Sequence, residues 1–238
     1  MDGILIINKP VGPTSHDIIS AVRKKLDIKK VGHAGTLDPM ACGVLVVLVG
    51  KATKLSSIFL SSDKTYIAVI RLGILTDTLD LAGKVKSVTD VPELTEKRID
   101  DVLAVFEGEI LQVPPMYSAK KVKGRKLYEM ARKGIEVERK PEKVIIHEIK
   151  RLKYMKPDLT VRISCSKGTY IRSLADDIGK VFGCNACIAE LQRVKSGKFS
   201  VSDAIPFEEL KSMSKTEIEK SKCFFGRDNE NFKNIGKS

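Results

Sequence analysis

Residues 32–49 read GHAGTLDPMACGVLVVLV, a glycine-punctuated loop with one carboxylate, Asp38, followed at once by an apolar run. The run Val44–Val49 is short, rich in branched residues and ends at Gly50, a pattern typical of a buried strand. The loop therefore presents an acid at the end of a rigid sheet, where functional groups are held best. Taken alone, Thr-Leu-Asp-Pro also fits an ordinary turn, because Asp before Pro favours turns.

The charge of the chain is strongly positive, with 42 Lys and Arg against 30 Asp and Glu and a net charge of +12 in 238 residues. This surplus favours a polyanionic partner, most simply nucleic acid, with an anionic membrane surface as the competing class. No apolar run approaches the ~20 residues that span a bilayer, and the N-terminus lacks the basic start of a signal peptide. We therefore expect a soluble cytoplasmic protein without membrane contact.

The cysteines show no pattern of a disulfide framework, since there are five of them in a chain of this size. Cys184 and Cys187 have the spacing of metal ligands. However, a second Cys pair is missing, the three His are scattered, and a structural zinc site needs about four ligands. We expect these two cysteines to be ordinary small buried residues.

Strand-like and helical segments interleave over residues 1–206. A first helix is predicted after Thr14, because Asp17 stands in the capping-box position and apolar residues then recur at helical spacing. A hairpin is plausible around the polar turn at 76–83, and residues 183–193 fit either a helix or an extended segment. Strands are further predicted at 4–7, 44–49, 64–72, 108–113, 144–152, 159–165 and 197–201, and helices at 51–60, 93–106 and from Tyr170.

Two segments differ in composition from the rest. Residues 117–143 hold ten Lys or Arg against four Glu, about half of the total surplus. A charge run is usually a solvated surface helix, but this concentration favours a phosphate-contacting arm of loop-helix-loop form. Residues 207–238 are polar, so we expect a short, partly ordered C-terminal tail in place of a full RNA-binding domain.

Several unusual motifs stand in one order along the chain. Taken together, they closely resemble the TruB family of bacterial tRNA pseudouridine-55 synthases over roughly residues 1–206. The motifs are NKP at 8–10, GHAGTLDP at 32–39, KTY at 64–66, TDTLD at 76–80, QVPPMYSA at 112–119 and SKGTYIRSLA at 166–175.

The resemblance implies a fold and a reaction. The fold would be α+β, a pseudouridine-synthase-like mixed and largely antiparallel sheet flanked by helices, with residues 117–143 as a thumb-like insertion. A uridine in the T arm of tRNA would be detached from its ribose, rotated and rejoined through C5. Family enzymes use no cofactor and no metal, and we expect a monomer that needs no protein partner.

Three residues carry the implied catalysis. Asp38 is the nucleophile, and its chemistry allows attack on either the pyrimidine or the sugar. Arg172 fits as its ion-pair partner, although Arg at such a site is also a common phosphate contact. Tyr66 aligns with the tyrosine that stacks on the base and helps to remove the C5 proton, whereas its strand position alone would place it in the core.

Five further residues align with substrate-binding positions. His33 corresponds to the histidine that stacks into the RNA loop after the base is flipped, and Asp80 to a carboxylate near the substrate nucleotide. Tyr170 and Leu191 correspond to pocket walls, which their apolar pattern alone would assign to the core. Lys9, followed by Pro10, aligns with a motif that packs beneath the catalytic loop.

The chain also departs from the family pattern. The common Leu-Arg-Arg-Thr motif reads Leu-Gln-Arg-Val at 191–194, so that Gln192 removes a possible phosphate contact. Glu142 and Lys143 stand where an Arg is usual. A tRNA-folding chaperone whose catalysis is secondary is the alternative function, because it would use the same basic surface. A guide-RNA-dependent enzyme of the same family is disfavoured by the short C-terminal segment.

Overall fold

The computed structural model describes residues 1–122 and 124–226. These residues form two compact units. Unit 1 joins Met1–Tyr66 to the chain from Gln192 onwards, and unit 2 is the continuous segment Ile67–Leu191. The chain passes from one unit to the other within two strands. No helix in the described ranges has the length and apolar character required to cross a membrane.

The strands alternate with helices as the sequence pattern predicts. In the described chain the strands are β1 (Gly3–Lys9), β2 (Val31–His33), β3 (Ala41–Val49), β4 (Lys64–Leu72), β5 (Ile74–Thr76), β6 (Val85–Val88), β7 (Gly108–Gln112), β8 (Lys121–Val122), β9 (Arg125–Lys126), β10 (Glu142–Met155), β11 (Asp158–Cys165), β12 (Ala186–Ser196), β13 (Phe199–Ser200), β14 (Ile205–Pro206) and β15 (Phe224–Gly226). The α-helices are α1 (Ser15–Leu26), α2 (Ser56–Ser61), α3 (Glu96–Val105), α4 (Leu127–Ala131), α5 (Ile171–Phe182), α6 (Phe207–Ser212) and α7 (Lys215–Lys220).

Unit 1 is built on two buried strands, β1 and β3, which pair antiparallel from Gly3↔Val49 to Lys9↔Gly43. Both strands are almost wholly apolar because both of their faces are covered. The strand order is β14-β1-β3-β12, and β2, β13 and β15 pair at the sides. Among the strand pairs of unit 1 whose register the structure describes, only β1–β14 is parallel. Glycine is required at position 43, since its φ is +104° and a Cβ would lie 2.2 Å from the Arg193 carbonyl oxygen.

Helix α1 begins as the sequence predicts. The Thr14 hydroxyl accepts from the Asp17 backbone N–H, while the Asp17 carboxylate accepts from the Thr14 backbone N–H, which completes a capping box. The predicted helix at 51–60 is instead a 3₁₀-helix, Gly50–Leu55, that continues into α2. Of residues 183–193, which were left open between two states, 186–193 belong to strand β12.

Residues 207–226, which were expected to belong to a short, partly ordered tail, form α6, α7 and β15. Phe207, Leu210, Ile218 and Phe224 are buried there. Strand β15 pairs antiparallel with β1. The apolar residues are spread over three short elements, so they show no periodicity long enough to predict a helix or a strand. Residues 227–238 of the predicted tail lie outside the described residues.

Unit 2 places β4, β11, β10 and β7 side by side in one sheet, and the pairs β11–β10 and β10–β7 are antiparallel. Helix α3 starts at the predicted cap, Thr95, and packs against β10. The predicted hairpin is confirmed as β5–β6. Within the basic arm the described residues form a small β8–β9 hairpin followed by α4, and Lys123 lies outside them. The fold class is the predicted mixed, mainly antiparallel sheet flanked by helices.

Candidate active site

The Asp38 loop, residues 34–40, joins β2 to β3 in unit 1. It closes with a turn in which the Ala41 N–H donates to the Asp38 carbonyl oxygen at 3.0 Å. Asp38 is half-buried, whereas Ala34 and Leu37, which precede it in the loop, are buried. A carboxylate on a short loop with buried neighbours can adopt few conformations, provided that the backbone of the loop is fixed.

Lys9 holds the loop from one side. Its side chain is fully buried, and Nζ donates to the carbonyl oxygens of Pro10 at 2.8 Å, Pro13 at 2.9 Å and Pro39 at 3.4 Å. Burial lowers the pKa of Lys9 to about 8, against the opposing charges of Cys42 and Asp38. The ammonium group therefore ties the residue after Asp38 to the end of β1, in the position beneath the loop that the resemblance implied.

Ser15 holds the middle of the loop. Its Oγ donates to the Leu37 carbonyl oxygen at 3.0 Å and accepts from the Leu37 N–H at 2.9 Å. One hydroxyl thus satisfies both backbone groups of the residue before Asp38. Because Ser15 is the first residue of α1, the capped end of the helix fixes the position of the hydroxyl.

Arg193 holds the remaining side of the loop. Its side chain is 1 % exposed. Nε donates to the Val44 carbonyl oxygen at 2.8 Å and Nη2 to that of Gly35 at 3.0 Å, while Nη1 lies 3.5 Å from that of Thr36. A planar guanidinium with several fixed donors suits such a set of converging carbonyl groups. Both ends of the loop are therefore anchored to one side chain.

Sequence reasoning missed the roles of Ser15 and Arg193. Arg193 stood in the Leu-Gln-Arg-Val motif, but a strand position gave no sign that this cation is buried. Ser15 follows the Thr14 cap and looked like an ordinary first helical residue. The signal that was available is the pairing of a buried-strand motif with a glycine-rich loop, whose carbonyl groups need donors that helices and strands do not supply.

Two other predicted site residues, His33 and Tyr66, belong to unit 1. His33 ends β2 directly before the loop, is half-buried, and its Nδ1 has no hydrogen-bond partner within residues 1–122 and 124–226. Burial, followed by the charges of Arg193 and His16, lowers the pKa of His33. Its imidazole is therefore neutral at pH 7. Tyr66 lies on β4 and is buried, with 9 % of its surface exposed.

In unit 2, Arg172 and Asp80 form a buried pair in which each residue is 5 % exposed. Nη1 of Arg172 lies 3.6 Å from Asp80 Oδ2 and donates to the Thr78 carbonyl oxygen at 2.7 Å, and Nη2 donates to the Tyr117 carbonyl oxygen at 2.7 Å. Asp80 also accepts from the Thr78 hydroxyl at 2.7 Å and from the Ala82 N–H at 3.1 Å. The partner of Asp80 was not foreseen.

The predicted ion pair between Asp38 and Arg172 would join residues of two different units, and it stays a prediction. Within unit 2, the guanidinium of Arg172 fastens helix α5 to the 76–83 turn and to the QVPPMYSA segment. Those two segments contain motifs that were quoted for the resemblance. Through Arg172, three of these motifs are in contact within unit 2.

Tyr170 is the N-cap residue of α5, and its backbone is fixed by Gln112. The Tyr170 N–H donates to Gln112 Oε1 at 2.7 Å, and Gln112 Nε2 donates to the Tyr170 carbonyl oxygen at 3.0 Å. Gln112 is 2 % exposed, so this pair is shielded from water. The Tyr170 side chain is half-buried, and Leu191 on β12 is 7 % exposed.

A cavity of about 600 Å³ also lies in unit 2, between the β5–β6 hairpin, the basic arm and α5. Its lining includes Asp77, Glu136, Asp176 and Asp177 but none of Asp80, Tyr170, Arg172 and Leu191. Carboxylates outnumber the cations Lys86, Arg139 and Lys180 on its wall. Its wall therefore has no excess of positive charge, and none of these four predicted residues lines it.

The cysteines provide no cluster of metal ligands. Within the ranges that the structure describes, no group of three or more His, Cys, Asp or Glu is placed to hold a metal ion. Burial raises the pKa of the Cys184 thiol, and it raises that of Cys187 to about 11. Both thiols are therefore protonated at neutral pH.

The depressed pKa of Lys9 predicts a specific pH dependence of stability. Between about pH 8 and 10.5 the unfolded chain binds more protons at this residue than the folded chain does, so the free energy of unfolding rises with pH. Between pH 7.5 and pH 9.5, the free energy of unfolding of the wild type should increase by roughly 1 to 2 kcal/mol more than that of Lys9→Met. Urea titrations at both pH values measure it, with exposed Lys215→Met as control. Parallel pH profiles for wild type and Lys9→Met would contradict it.

Two family models match the chain. The first, TruB family pseudouridylate synthase (N-terminal domain), covers residues 23–171, which include the Asp38 loop and the buried Asp80. The chain belongs to the TruB family. The second model, the tRNA pseudouridylate synthase B C-terminal domain, covers residues 172–223 and so extends through the elements α6 and α7.

Individual TruB relatives match almost the whole chain. It is 48 % identical over 215 residues to the tRNA pseudouridine synthase B of Endomicrobium trichonymphae, covering 90 % of this chain and 94 % of the relative. It is 50 % identical over 225 residues to the protein of the same name from Clostridium acetobutylicum, covering 94 % of this chain and 78 % of the relative.

Among solved structures, the chain is similar to one in a Cbf5-Nop10-Gar1 complex, with 30 % sequence identity and a TM-score of 0.72. The match covers 94 % of this TruB chain but 59 % of that one. The larger protein thus has regions to which this chain has no counterpart.

Proposed function

We propose that this chain is a tRNA pseudouridine synthase that isomerises uridine 55 in the T loop of tRNA. The observation that carries the proposal is the Asp38 loop, whose backbone before and after the one carboxylate is held by Lys9, Ser15 and Arg193. A nucleophile held in this way loses little entropy on reaction and needs no cofactor to act. The TruB relatives that match over most of the chain carry the corresponding name.

The proposed reaction begins with attack by the Asp38 carboxylate on the pyrimidine or the ribose. The N-glycosidic bond breaks, the uracil turns, and a new bond forms between its C5 and the ribose C1′. The bond to Asp38 breaks in the course of this rearrangement, so that the carboxylate is regenerated. The proton lost from C5 is balanced by a proton gained at N1, so that product and substrate are isomers. We assign Tyr66 to stacking on the base and to removal of the C5 proton, which its phenolic oxygen can assist.

The remaining predicted residues are assigned to binding. A base must leave the folded loop before Asp38 reaches it, at a cost of a few kcal/mol, on the order of 2 to 5. We assign His33 to the vacated space, because its ring is neutral and Nδ1 lacks a partner in the described chain. Arg172 would orient Asp38 from its pair with Asp80, and Tyr170 and Leu191 would wall the pocket.

We also propose that the chain acts alone, as a monomer in the cytoplasm, where its tRNA substrate is found. The catalytic domain would comprise residues 1–206, with 117–143 closing on the RNA. The +12 net charge supports an RNA substrate, since phosphate contacts supply most of the affinity of such proteins.

Tritium release tests the proposed function. Purified chain is incubated with a tRNA transcript that carries [5-³H]uridine, and one tritium per tRNA is expected to enter water. A transcript with cytidine at position 55 is the matched control and should release none. If the chain binds the transcript but releases no tritium, it is an RNA-binding protein or a folding chaperone and the proposal fails. Equal release from both transcripts would exclude position 55.

A further inference from the structure

The surplus positive charge of this chain is confined to two regions. The arm, residues 117–143, carries ten cations against four carboxylates, and the combined segments 23–30 and 50–54 carry seven cations against one. The rest of the chain then holds 25 of each sign. The second region was not identified from the sequence, because its two halves are twenty residues apart and neither half is long enough to stand out.

The fold of unit 1 brings the two halves together. The Gly50 N–H donates to the Lys30 carbonyl oxygen at 2.8 Å, so the segment before β2 lies beside the start of the 3₁₀-helix. Lys51 and Lys54 are three residues apart in that helix and therefore lie on one face of it. We call Lys29, Lys30, Lys51 and Lys54 the basic patch.

The basic patch is not neutralised by neighbouring acids. All four lysines are exposed. Lys51 lies 3.9 Å from the Asp2 carboxylate, with 71 % of its side chain exposed. In residues 1–122 and 124–226, the other three have no carboxylate within 4 Å. Like charges grouped on a surface repel one another, and a polyanion removes that repulsion.

The basic patch is continuous with a residue that the proposed function assigns to RNA. Lys30 directly precedes β2, and His33 is the last residue of that strand. Three residues of strand span about 10 Å, which is within two nucleotides of an extended RNA backbone. Arg23 Nη2 donates to the Val31 carbonyl oxygen at 2.8 Å and so anchors the strand between these two points.

We propose that the basic patch binds backbone phosphates of tRNA next to the loop that His33 enters. The inference rests on the proposed function, and it adds a second phosphate-binding surface that is separate from the arm. Lysines are suited to this role, because they contact phosphate as mobile point charges without reading sequence. Binding would release counterions, so the patch should contribute to the salt dependence of the affinity.

The test compares two triple variants of equal charge. Lys29→Ala/Lys30→Ala/Lys54→Ala removes most of the basic patch. Lys215→Ala/Lys220→Ala/Lys222→Ala removes three exposed lysines of the C-terminal segment that are not part of the basic patch. The Kd for a full-length tRNA transcript is measured by filter binding from about 50 to 200 mM KCl. For the patch variant we expect a Kd at least about fivefold higher than for the control at low salt, and a slope of log Kd against log[KCl] lower by about 2.

Equal affinities and equal slopes for the two variants would overturn the proposal, provided that their thermal unfolding is the same as that of wild type. Loss of binding to vesicles of anionic phospholipid, with tRNA affinity equal to the control, would also overturn it and assign the patch to a membrane surface. The measurement does not use catalysis. A chain that fails to release tritium but shows the expected shift in Kd would therefore refute the proposed activity and support the patch.

Discussion

Asp38→Asn is expected to abolish tritium release from uridine-labelled tRNA, with a fall in kcat of roughly four orders of magnitude or more. The amide has nearly the same shape as the carboxylate but lacks the negative charge that makes the group a nucleophile. The loop should keep its position, because its anchors contact backbone carbonyl groups and the Leu37 N–H rather than the Asp38 side chain. Single-turnover kinetics with excess enzyme measure the change.

The control for this prediction is Asp27→Asn. Asp27 is an exposed residue in the left-handed conformation at the C-terminus of α1, which Asn adopts as readily as Asp does. The Asp27→Asn substitution removes the same charge as Asp38→Asn and should keep wild-type activity. The Asp38→Asn variant should also bind tRNA within about threefold of wild type. Tritium release by Asp38→Asn at more than one hundredth of the wild-type rate would show that Asp38 is not the nucleophile.

Arg193→Met is expected to lower both stability and turnover. The carbonyl groups of Gly35, Thr36 and Val44 would lose their donor, and a buried unpaired polar group costs about 1 to 3 kcal/mol. A loss of roughly 3 kcal/mol or more would lower Tm by about 10 °C. Below that temperature kcat should fall at least about tenfold while KM changes little, since the loop that carries Asp38 is displaced and the RNA contacts remain.

Two further variants separate positioning from simple stability. Arg193→Lys restores the charge but offers a single point donor, so its kcat should lie between those of wild type and Arg193→Met. Lys195→Met removes an exposed cation from the same strand and should match wild type in both Tm and kcat. If Arg193→Met lowers Tm but keeps the wild-type kcat at 20 °C, Arg193 serves only the fold.

The predictable part of the fold was the part governed by local periodicity. The buried runs of β1 and β3, the Thr14–Asp17 capping box and the Thr95 cap are all legible from spacing and residue type. The segment 207–226 was not, because its few apolar residues gain their partners from strand β1, which is two hundred residues away. Long-range burial of this kind leaves no periodic trace in a short segment.

The sequence proposed the residues of the candidate site but not the contacts that they make. The family resemblance singled out Asp38, Arg172 and Asp80, but it gave no indication that the last two form a buried pair with each other. Lys9 was expected beneath the loop and is found there. Arg193 was noted only as part of an atypical motif. Its role depends on burial, and burial is a property of the folded chain.

Strand β1 is the first strand to be synthesised, whereas β14 and β15, which pair with it, are the last. Unit 2 is continuous and is complete once Leu191 has left the ribosome, whereas unit 1 must wait for the residues after Gln192. During synthesis the apolar strands β1 and β3 therefore remain without one side of their sheet while 125 further residues are added. Domains fold as units, and exposed strands associate with other chains. The residues after Gln192, which include the loop anchor Arg193, thus determine when the Asp38 loop becomes rigid, and a chain ending before them would hold Asp38 on an unfinished sheet.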